Sequence, residues 1–139
     1  MPEEETSDLV VIVAARDEAD RITATLAALK EAFPGARFIV ADDASSDGTS
    51  DLALAAGAEI VSRRRPHGKG GSMSAAAATV APLAELGAPP TFLLCDGDLG
   101  ASAGELRRLV AAVDAGECDL AVGTFSNRIT YWSGSSPVT

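Results

Sequence analysis

The stretch Thr91-Phe92-Leu93-Leu94-Cys95-Asp96-Gly97-Asp98 is an apolar run of strand length that ends in two carboxylates, directly before a helical pattern. Carboxylates at the end of a buried strand suit a hard divalent cation, because Mg2+ and Mn2+ prefer oxygen ligands and share them with substrate phosphates. Asp-Gly-Asp also forms ordinary turns, since Asp and Gly tolerate the backbone conformations that turns need. These residues alone do not distinguish a metal site from an ordinary turn, so the rest of the sequence has to be considered.

Apolar runs of strand length alternate along the chain with amphipathic segments of helix length. This order predicts a parallel sheet with helices on its faces. Five strands are expected, at Leu9–Ala14, Arg37–Ala41, Ala58–Ser62, Thr91–Cys95 and Asp119–Gly123. Four helices are expected, at about Ile22–Phe33, Thr49–Ala56, Ala75–Leu86 and Leu106–Val113. The predicted fold class is α/β, a Rossmann-like three-layer α/β/α sandwich with a mostly parallel sheet, truncated after about five strands.

Length and composition limit the classes of protein that fit. The chain has 139 residues, which is about one domain, and we expect that domain at residues 9–125. A disordered acidic tail is expected at residues 1–8 and an irregular polar tail at residues 126–139. The net charge of −9 argues against a general nucleic-acid role.

The location predicted from the sequence is cytoplasmic. Because the start of the chain is acidic, no secretory or transit signal is expected there. No apolar run approaches the roughly 20 residues of a transmembrane helix. Cys95 and Cys118 have no metal-ligand spacing and are expected to be buried, reduced thiols.

The loops that follow the predicted strands are unusually rich in charge. Ligands of open parallel sheets bind at the carboxyl ends of the strands, where these loops meet. The loops are Ala15-Arg16-Asp17-Glu18, Asp42–Thr49, Arg63–Gly70 and Asp96-Gly97-Asp98. Acidic groups from three loops and basic groups from a fourth would face one crevice, an arrangement that suits a metal-bound diphosphate and a nucleoside.

Single acidic residues in these loops have structural alternatives. Asp47 is expected to cap the second helix. Asp43 lies at the end of a strand, where its carboxylate is expected to accept a hydrogen bond from the imino N–H of a base such as uracil. Asp17 and Glu18 are favourable near the start of the first helix on dipole grounds, and for Glu18 this structural role is preferred.

The basic loop holds four of the eleven Lys and Arg residues, within Arg63–Lys69. Gly68-Lys69-Gly70-Gly71-Ser72 is expected to open a helix, where backbone N–H groups and the lysine approach phosphate; a solvated charge run is the alternative. The spacing fits neither a Walker loop nor a dinucleotide-binding fingerprint. The histidine at position 67 is expected to be exposed rather than catalytic.

Together these residues resemble the nucleotide-sugar-binding half of family 2 glycosyltransferases, which have the GT-A fold. The resemblance spans roughly Leu9 to Phe125. It rests on Val10–Glu18, Val40–Thr49, Gly68-Lys69-Gly70 and Cys95–Asp98. Within the family, the chain looks most like the branch of dolichyl-phosphate sugar synthases and glucosyl-phosphoglycerate synthases.

The resemblance implies a role for each residue of a donor site. Asp43 would contact the base, Asp96 the ribose, and Asp98 a divalent metal, Mn2+ or Mg2+, on the diphosphate. Lys69 would support the nucleotide or its phosphates, and Ala15 would add a base contact through its backbone. Asp17 completes the expected nucleotide-sugar-binding set, at a position where the family usually has Asn.

Three functions are compatible with this sequence. The first is metal-dependent sugar transfer from a nucleotide-sugar, with a UDP-sugar favoured over a GDP-sugar. The second is a non-catalytic nucleotide-binding module or truncated remnant. The third, a sugar-phosphate nucleotidyltransferase, is disfavoured because Ala15–Glu18 lacks the glycines that it needs.

By the resemblance, members of the family continue with an acceptor-binding half, and no segment after Phe125 is expected to match it. That half carries the general base, so no catalytic residue is identified, and neither the sugar nor the acceptor is specified. Tyr131 and Trp132 are expected to cap the sheet rather than to stack on a ligand. A homo-oligomer that covers the exposed sheet edge is a further open alternative.

Overall fold

The computed structural model of the chain describes residues 9–62, 68–79, 91–118, 120–123, 129–133 and 136–138. The chain divides into two compact units, one that ends at Ala103 and one that begins at Gly104. The predicted acidic tail at residues 1–8 lies outside the described residues, as do most of the basic loop and the histidine at position 67.

The first unit is built on a four-stranded, all-parallel sheet. Its strands are β1 (Leu9–Ala15), β2 (Arg37–Asp42), β3 (Glu59–Ser62) and β4 (Thr91–Asp96). Their order across the sheet is β3-β2-β1-β4. All seven residues of β1 are buried, as expected for a central strand that is covered on both faces. The α/β, Rossmann-like fold class predicted from the sequence is confirmed.

Three helices flank this sheet: α1 (Ile22–Ala32), α2 (Thr49–Ala55) and α3 (Gly68–Ala78). The crossovers from β1 to β2 and from β2 to β3 run one way across the sheet, and the connection from β3 to β4 returns. Because such crossovers are right-handed, α1 and α2 lie on one face and α3 on the other. On the α3 face, Ala76 is buried against Val10, Ile12, Ile39 and Ala41, where its small side chain allows a close approach.

Helix α3 begins at Gly68, ahead of the apolar segment that starts at Ala75. The glycine-rich stretch Gly68–Ser72 therefore opens a helix, as predicted from the sequence. Glycine is a poor helix former, so tertiary packing of Met73 and Ala76 against the sheet outweighs local propensity here. Residues 80–86 of the predicted third helix lie outside the described residues.

The second unit contains α4 (Arg107–Asp114), β5 (Leu120–Gly123), β6 (Ile129–Ser133) and β7 (Ser136–Val138). A 3-10 helix, Gly100–Leu106, precedes α4 along the chain. Strand β6 pairs antiparallel with both β5 and β7 in a separate three-stranded sheet.

Two predictions are wrong in this region. The run at Asp119–Gly123 was expected to be a fifth strand of the parallel sheet, but β5 belongs to the antiparallel sheet. Residues 126–139 were expected to be irregular, but Ile129–Ser133 and Ser136–Val138 form strands. Ile, Thr, Tyr and Trp favour strands, so a short run of them pairs once a neighbouring strand is available.

Cys95 and Cys118 are buried, free thiols, as predicted. Burial raises the pKa of the Cys95 thiol to about 12, and the charge of Asp96 adds to this effect. A thiol with so high a pKa stays protonated and is a poor nucleophile. In the part of the chain that the structure describes, no helix has the length and apolar character needed to cross a membrane.

Candidate functional site

The carboxyl ends of three parallel strands meet at one edge of the sheet. The register places Ala15 beside Asp42 and Ala14 beside Asp96. A cavity of about 330 Å3 opens there. Its lining residues are Ala14, Ala15, Arg16, Glu18, Ala41, Asp43, Ser72, Asp96 and Asp98. Four of the six predicted binding residues thus surround one cavity: Ala15, Asp43, Asp96 and Asp98.

Asp43 is held at the cavity wall by contacts from two directions. Its backbone N–H donates to the Ala15 carbonyl at 3.0 Å, which extends the β1–β2 pairing by one residue. The Ser72 hydroxyl donates to Asp43 Oδ1 at 3.0 Å, and both residues are buried, at 1% and 5% exposure respectively. The first part of α3 therefore fixes the orientation of the Asp43 carboxylate.

Asp42, the neighbour of Asp43, has a structural role. Its side chain is buried, accepts the Ser45 N–H at 3.2 Å, and accepts a hydrogen bond from the Ser50 hydroxyl. These contacts close the β2–α2 loop on itself, and Ala44 adopts a left-handed conformation (φ 64°) within it. The two adjacent aspartates thus differ in role, since Asp42 stabilises the loop and Asp43 lines the cavity.

The Asp96-Gly97-Asp98 turn is anchored to β1 and to α1. The Gly97 N–H donates to the Ala14 carbonyl at 2.8 Å, and the Thr25 hydroxyl donates to the Gly97 carbonyl at 2.7 Å. A Cβ at position 97 would lie 3.2 Å from Ile22 Cδ1 and 3.3 Å from the Ala14 carbonyl oxygen. A side chain at position 97 would therefore press on β1 and α1, so glycine favours the close approach of the turn that carries Asp96 and Asp98 to the cavity.

Negative charge accumulates on one side of the cavity. Burial, and next the charge of Asp98, raise the pKa of the Glu18 carboxyl. The Arg21 guanidinium lies 3.8 Å from the Asp98 carboxylate, and both side chains are about half exposed, so this ion pair offsets little of the charge. A cation placed near Asp98 would relieve the repulsion between the two carboxylates.

The donor set fits a divalent metal shared with substrate. Among the described residues, no group of three His, Cys, Asp or Glu side chains forms a metal site made of protein ligands. Mg2+ at phosphate-binding sites is usually held by one or two carboxylates together with phosphate oxygens and water. The exposed carboxylate of Asp98, with Asp96 and Glu18 lining the same cavity, meets this smaller requirement.

Asp17 is not part of the cavity lining. It has a left-handed backbone (φ 54°), and its Oδ1 accepts the Ser46 N–H at 2.8 Å, so it ties the β1–α1 loop to the β2–α2 loop. Asp and Asn are the non-glycine residues that best tolerate this conformation, and both offer an acceptor oxygen. This accounts for the exchange of Asn for Asp at this position without any ligand contact.

Side chains of the β2–α2 loop accept three consecutive N–H groups of the β1–α1 loop. The N–H of Asp17 donates to Ser45 Oγ at 2.9 Å, that of Glu18 to Thr49 Oγ1 at 3.0 Å, and that of Ala19 to Asp47 Oδ2 at 3.0 Å. Asp47 also accepts the Thr49 N–H at 3.1 Å, so it satisfies a backbone N–H at the start of α2 from the position before the N-cap, which is Gly48. Hydrogen bonding, above all from the Thr49 hydroxyl, lowers the pKa of Asp47.

Five cavity residues were not predicted as binding residues, and three of these five have polar side chains. Ser72 follows the glycine cluster at the start of α3, and its spacing of four from Ala76 marks the buried helix face. Arg16 follows Ala15 directly, and Glu18 was assigned a helix-dipole role. Lys69 lies in the first turn of α3, but its side chain lies outside what the structure describes.

Comparison with known proteins agrees with this geometry. The model of the Glycosyl transferase family 2 matches residues 10–136. The match continues beyond Phe125, where the resemblance seen in the sequence ended, and includes β6. No curated protein sequence matches the chain significantly. Since the family match covers nearly the whole chain, the protein belongs to glycosyltransferase family 2, and its function is of the glycosyltransferase type.

Proposed function

We propose that the cavity at the carboxyl edge of the sheet binds a nucleotide-diphosphate sugar, with a UDP-sugar favoured, together with Mn2+ or Mg2+, and that the sugar is transferred to an acceptor. The observation that carries this proposal is the convergence of Ala15, Asp43, Asp96 and Asp98 on one cavity of about 330 Å3. Membership of the family supplies the reaction class.

Asp43 is the proposed contact to the base. Its buried carboxylate, oriented by Ser72, suits the imino N–H of uracil, and a hydrogen bond to a charged group contributes about 1.5–3 kcal/mol. The Ala15 carbonyl accepts the Asp43 N–H and has a second lone pair for the ligand. Guanine also presents an imino N–H, so this contact alone does not separate UDP from GDP.

Asp98 is the proposed metal ligand, and Asp96 the proposed ribose contact. Asp96 ends β4 and Asp98 lies on the turn that follows, which the hydrogen bond from the Gly97 N–H to the Ala14 carbonyl holds against β1. A bound divalent metal would stabilise the negative charge that develops on the leaving nucleotide diphosphate. Lys69, in the first turn of α3, is proposed to support the phosphates together with the helix N-terminus.

The acceptor is proposed from the sequence likeness within the family. That likeness points to the dolichyl-phosphate sugar synthases and the glucosyl-phosphoglycerate synthases, so a lipid phosphate and 3-phosphoglycerate are the first acceptors to test. None of the described residues is assigned as the general base that such a transfer needs.

Calorimetric titration of UDP and of GDP, each with and without Mn2+, tests the donor site. We expect the wild type to bind UDP more tightly when Mn2+ is present. Asp98→Ala should lose this gain from Mn2+ and keep the weaker binding without metal, whereas Asp51→Ala, which changes an exposed carboxylate of α2, should behave like the wild type.

Each outcome has a definite meaning. A wild type that binds neither nucleotide would overturn the proposal. Tighter binding of GDP than of UDP would mean that the donor carries guanine instead of uracil. Release of UDP from a UDP-sugar in the presence of either acceptor would then distinguish a transferase from a module that only binds nucleotide.

A further inference from the structure

We infer that Thr25 is a positioning residue, which holds the Asp96-Gly97-Asp98 turn in the geometry that metal binding requires. The inference rests on the proposed function, because it concerns the same site. It adds a residue of α1 that lies far from the turn in the sequence and does not line the cavity.

Thr25 is fully buried, at 0% exposure, and its hydroxyl makes two hydrogen bonds to the turn. It donates to the Gly97 carbonyl at 2.7 Å and accepts the Gly100 N–H at 2.8 Å. A threonine hydroxyl has one donor and two acceptor positions, so one side chain satisfies both backbone groups. The two bonds lie on either side of Asp98 in the chain.

A hydroxyl at this position is not explained by the packing of α1. The buried face of the helix is otherwise apolar, with Ile22, Leu26 and Leu29 each at 0% exposure. A threonine inside a helix commonly bonds back to the carbonyl four residues earlier, which here is that of Arg21. The hydroxyl of Thr25 instead reaches Gly97 and Gly100, so its polar group serves the turn.

The turn depends on such anchors because Asp98 is weakly held by its own side chain. The Asp98 carboxylate is 43% exposed, and its ion pair with Arg21 spans 3.8 Å. The backbone is held more firmly, by Ala14 on the sheet side and by Thr25 on the helix side. Since Mg2+ tolerates little departure from ideal ligand distances, the backbone anchors decide whether Asp98 is in place.

Two substitutions separate the hydroxyl from the shape of the side chain. Thr25→Val keeps the shape and removes the hydroxyl, whereas Thr25→Ser keeps the hydroxyl. Loss of a residue that orients a metal ligand typically lowers metal affinity by about 10- to 100-fold. We expect the gain in UDP affinity from Mn2+ to fall by this factor in Thr25→Val, with metal-free UDP affinity within about twofold of wild type, and Thr25→Ser to keep the gain.

Two control variants test whether the effect of Thr25→Val comes only from a loss of stability. Thr23→Val makes the same chemical change at an exposed position of the same helix and should leave binding unchanged. Leu29→Val alters the buried face of α1 without touching the turn, so it should lower the melting temperature but keep the gain from Mn2+. If the loss in Thr25→Val only reflected lower stability, Leu29→Val would share it.

Amide hydrogen exchange gives a readout in the metal-free protein. The Gly100 N–H loses its acceptor in Thr25→Val, so its exchange should accelerate relative to wild type and to Thr25→Ser. Unchanged exchange at Gly100 would contradict the anchoring role directly, independently of any ligand.

The outcomes distinguish this inference from the proposed function. A wild type that binds no nucleotide would overturn both. A wild type with Mn2+-dependent UDP binding that Thr25→Val retains in full would overturn the inference alone. Should Thr25→Val fail to fold, Thr25→Ala takes its place with the same expectation, and a folded Thr25→Ser without the gain from Mn2+ would also overturn it.

Discussion

At the amino edge of the parallel sheet, where β2 and β3 begin, a cavity of about 430 Å3 lies beside charged residues that bind one another. Arg37 donates to both carboxylate oxygens of Glu59, at 2.5 and 2.8 Å, and Lys30 donates to the Ala56 carbonyl. At the carboxyl edge, the smaller cavity of about 330 Å3 has carboxylates from three loops in its wall. There the neutral hydroxyl of Ser72 donates a hydrogen bond to Asp43.

The difference teaches that volume alone does not point to a binding site, since the smaller cavity is the one that gathers carboxylates from three loops. At the amino edge, Arg37 and Glu59 neutralise each other, and Lys30 donates to a backbone carbonyl. At the carboxyl edge, the Ser72 hydroxyl orients Asp43, and the Ser45 N–H and the Ser50 hydroxyl orient the neighbouring Asp42. Burial, and next the charge of Asp98, raise the pKa of Glu18 at this edge. A cation bound between these carboxylates would reduce their repulsion and so lower that pKa again.

The largest effect is expected when the charge of Asp43 is removed. Asp43→Asn keeps the volume of the side chain but removes a charged acceptor, which contributes about 1.5–3 kcal/mol, or roughly 10- to 150-fold in affinity. UDP affinity should fall by this factor both with and without Mn2+, unlike the metal-specific loss of Asp98→Ala. Asp51→Asn, on the exposed face of α2, is the matched control. Equal UDP affinity in Asp43→Asn and wild type would remove Asp43 from the site.

Gly97→Ala tests the packing of the turn against β1. The added Cβ would press on Ile22 Cδ1 at 3.2 Å and on the Ala14 carbonyl oxygen at 3.3 Å, and the latter belongs to a central strand that yields little. Overpacking of this kind costs about 1–3 kcal/mol of unfolding free energy. Urea denaturation measures it, and Gly104→Ala is the control, since its Cβ would meet only the Arg107 side chain at 3.7 Å. A cost below that of the control would show that the turn is not tightly packed.

Thr49→Val tests the tie between the two loops at the carboxyl edge. The fully buried hydroxyl of Thr49 accepts the Glu18 N–H and donates to Asp47, so its loss should lower the unfolding free energy by about 0.5–1.5 kcal/mol. Thr23→Val is the exposed control.

The same variant should change how stability responds to acid. The pKa of Asp47 is lowered in the fold, so its contribution to stability is present above the unfolded pKa and is lost as the pH falls through the folded pKa. Because the Thr49 hydroxyl is the largest cause, the Asp47 pKa should rise towards its ordinary value in Thr49→Val. An NMR titration of Asp47 that is unchanged by the substitution would contradict the assigned cause.

The sequence was sufficient for the parallel sheet because its strands are long apolar runs with helices between them. Predicted and observed bounds of β1, β2, β3 and β4 differ by at most one residue at either end. The antiparallel sheet was missed for two reasons. The run at Asp119–Gly123 indicates a strand without indicating its partner, and Ile129–Ser133 is short and lies in a polar stretch. A strand of this kind is stabilised by its neighbours, which a local pattern does not contain.

The convergence of Asp43, Asp96 and Asp98 was predictable, because the carboxyl ends of parallel strands share one edge. The contacts that orient these carboxylates were not. Ser72 lies 29 residues from Asp43, and Thr25 lies 75 residues from Gly100, so nothing in the local sequence links the partners. The sequence also did not indicate that Asp17, which was expected to bind the nucleotide-sugar, joins two loops and lies outside the cavity lining.

The smallest effect is expected at the amino edge, from Glu59→Gln. Arg37 and Glu59 are 36% and 50% exposed, and an exposed ion pair of this kind contributes about 0–1 kcal/mol, less at high salt. The hydrogen bond from Arg37 lowers the pKa of Glu59, so the stability that the pair supplies is present above the unfolded pKa of Glu59 and is lost as the pH falls through its folded pKa.

Unfolding free energies of wild type and Glu59→Gln should therefore differ slightly near neutral pH and converge in acid, and added salt should narrow the gap. Because Arg37 and Glu59 satisfy each other, UDP affinity should be the same in both proteins, with and without Mn2+. A change in UDP affinity would break the contrast between the two edges, since it would mean that a cavity whose charges are already paired still takes part in binding the nucleotide.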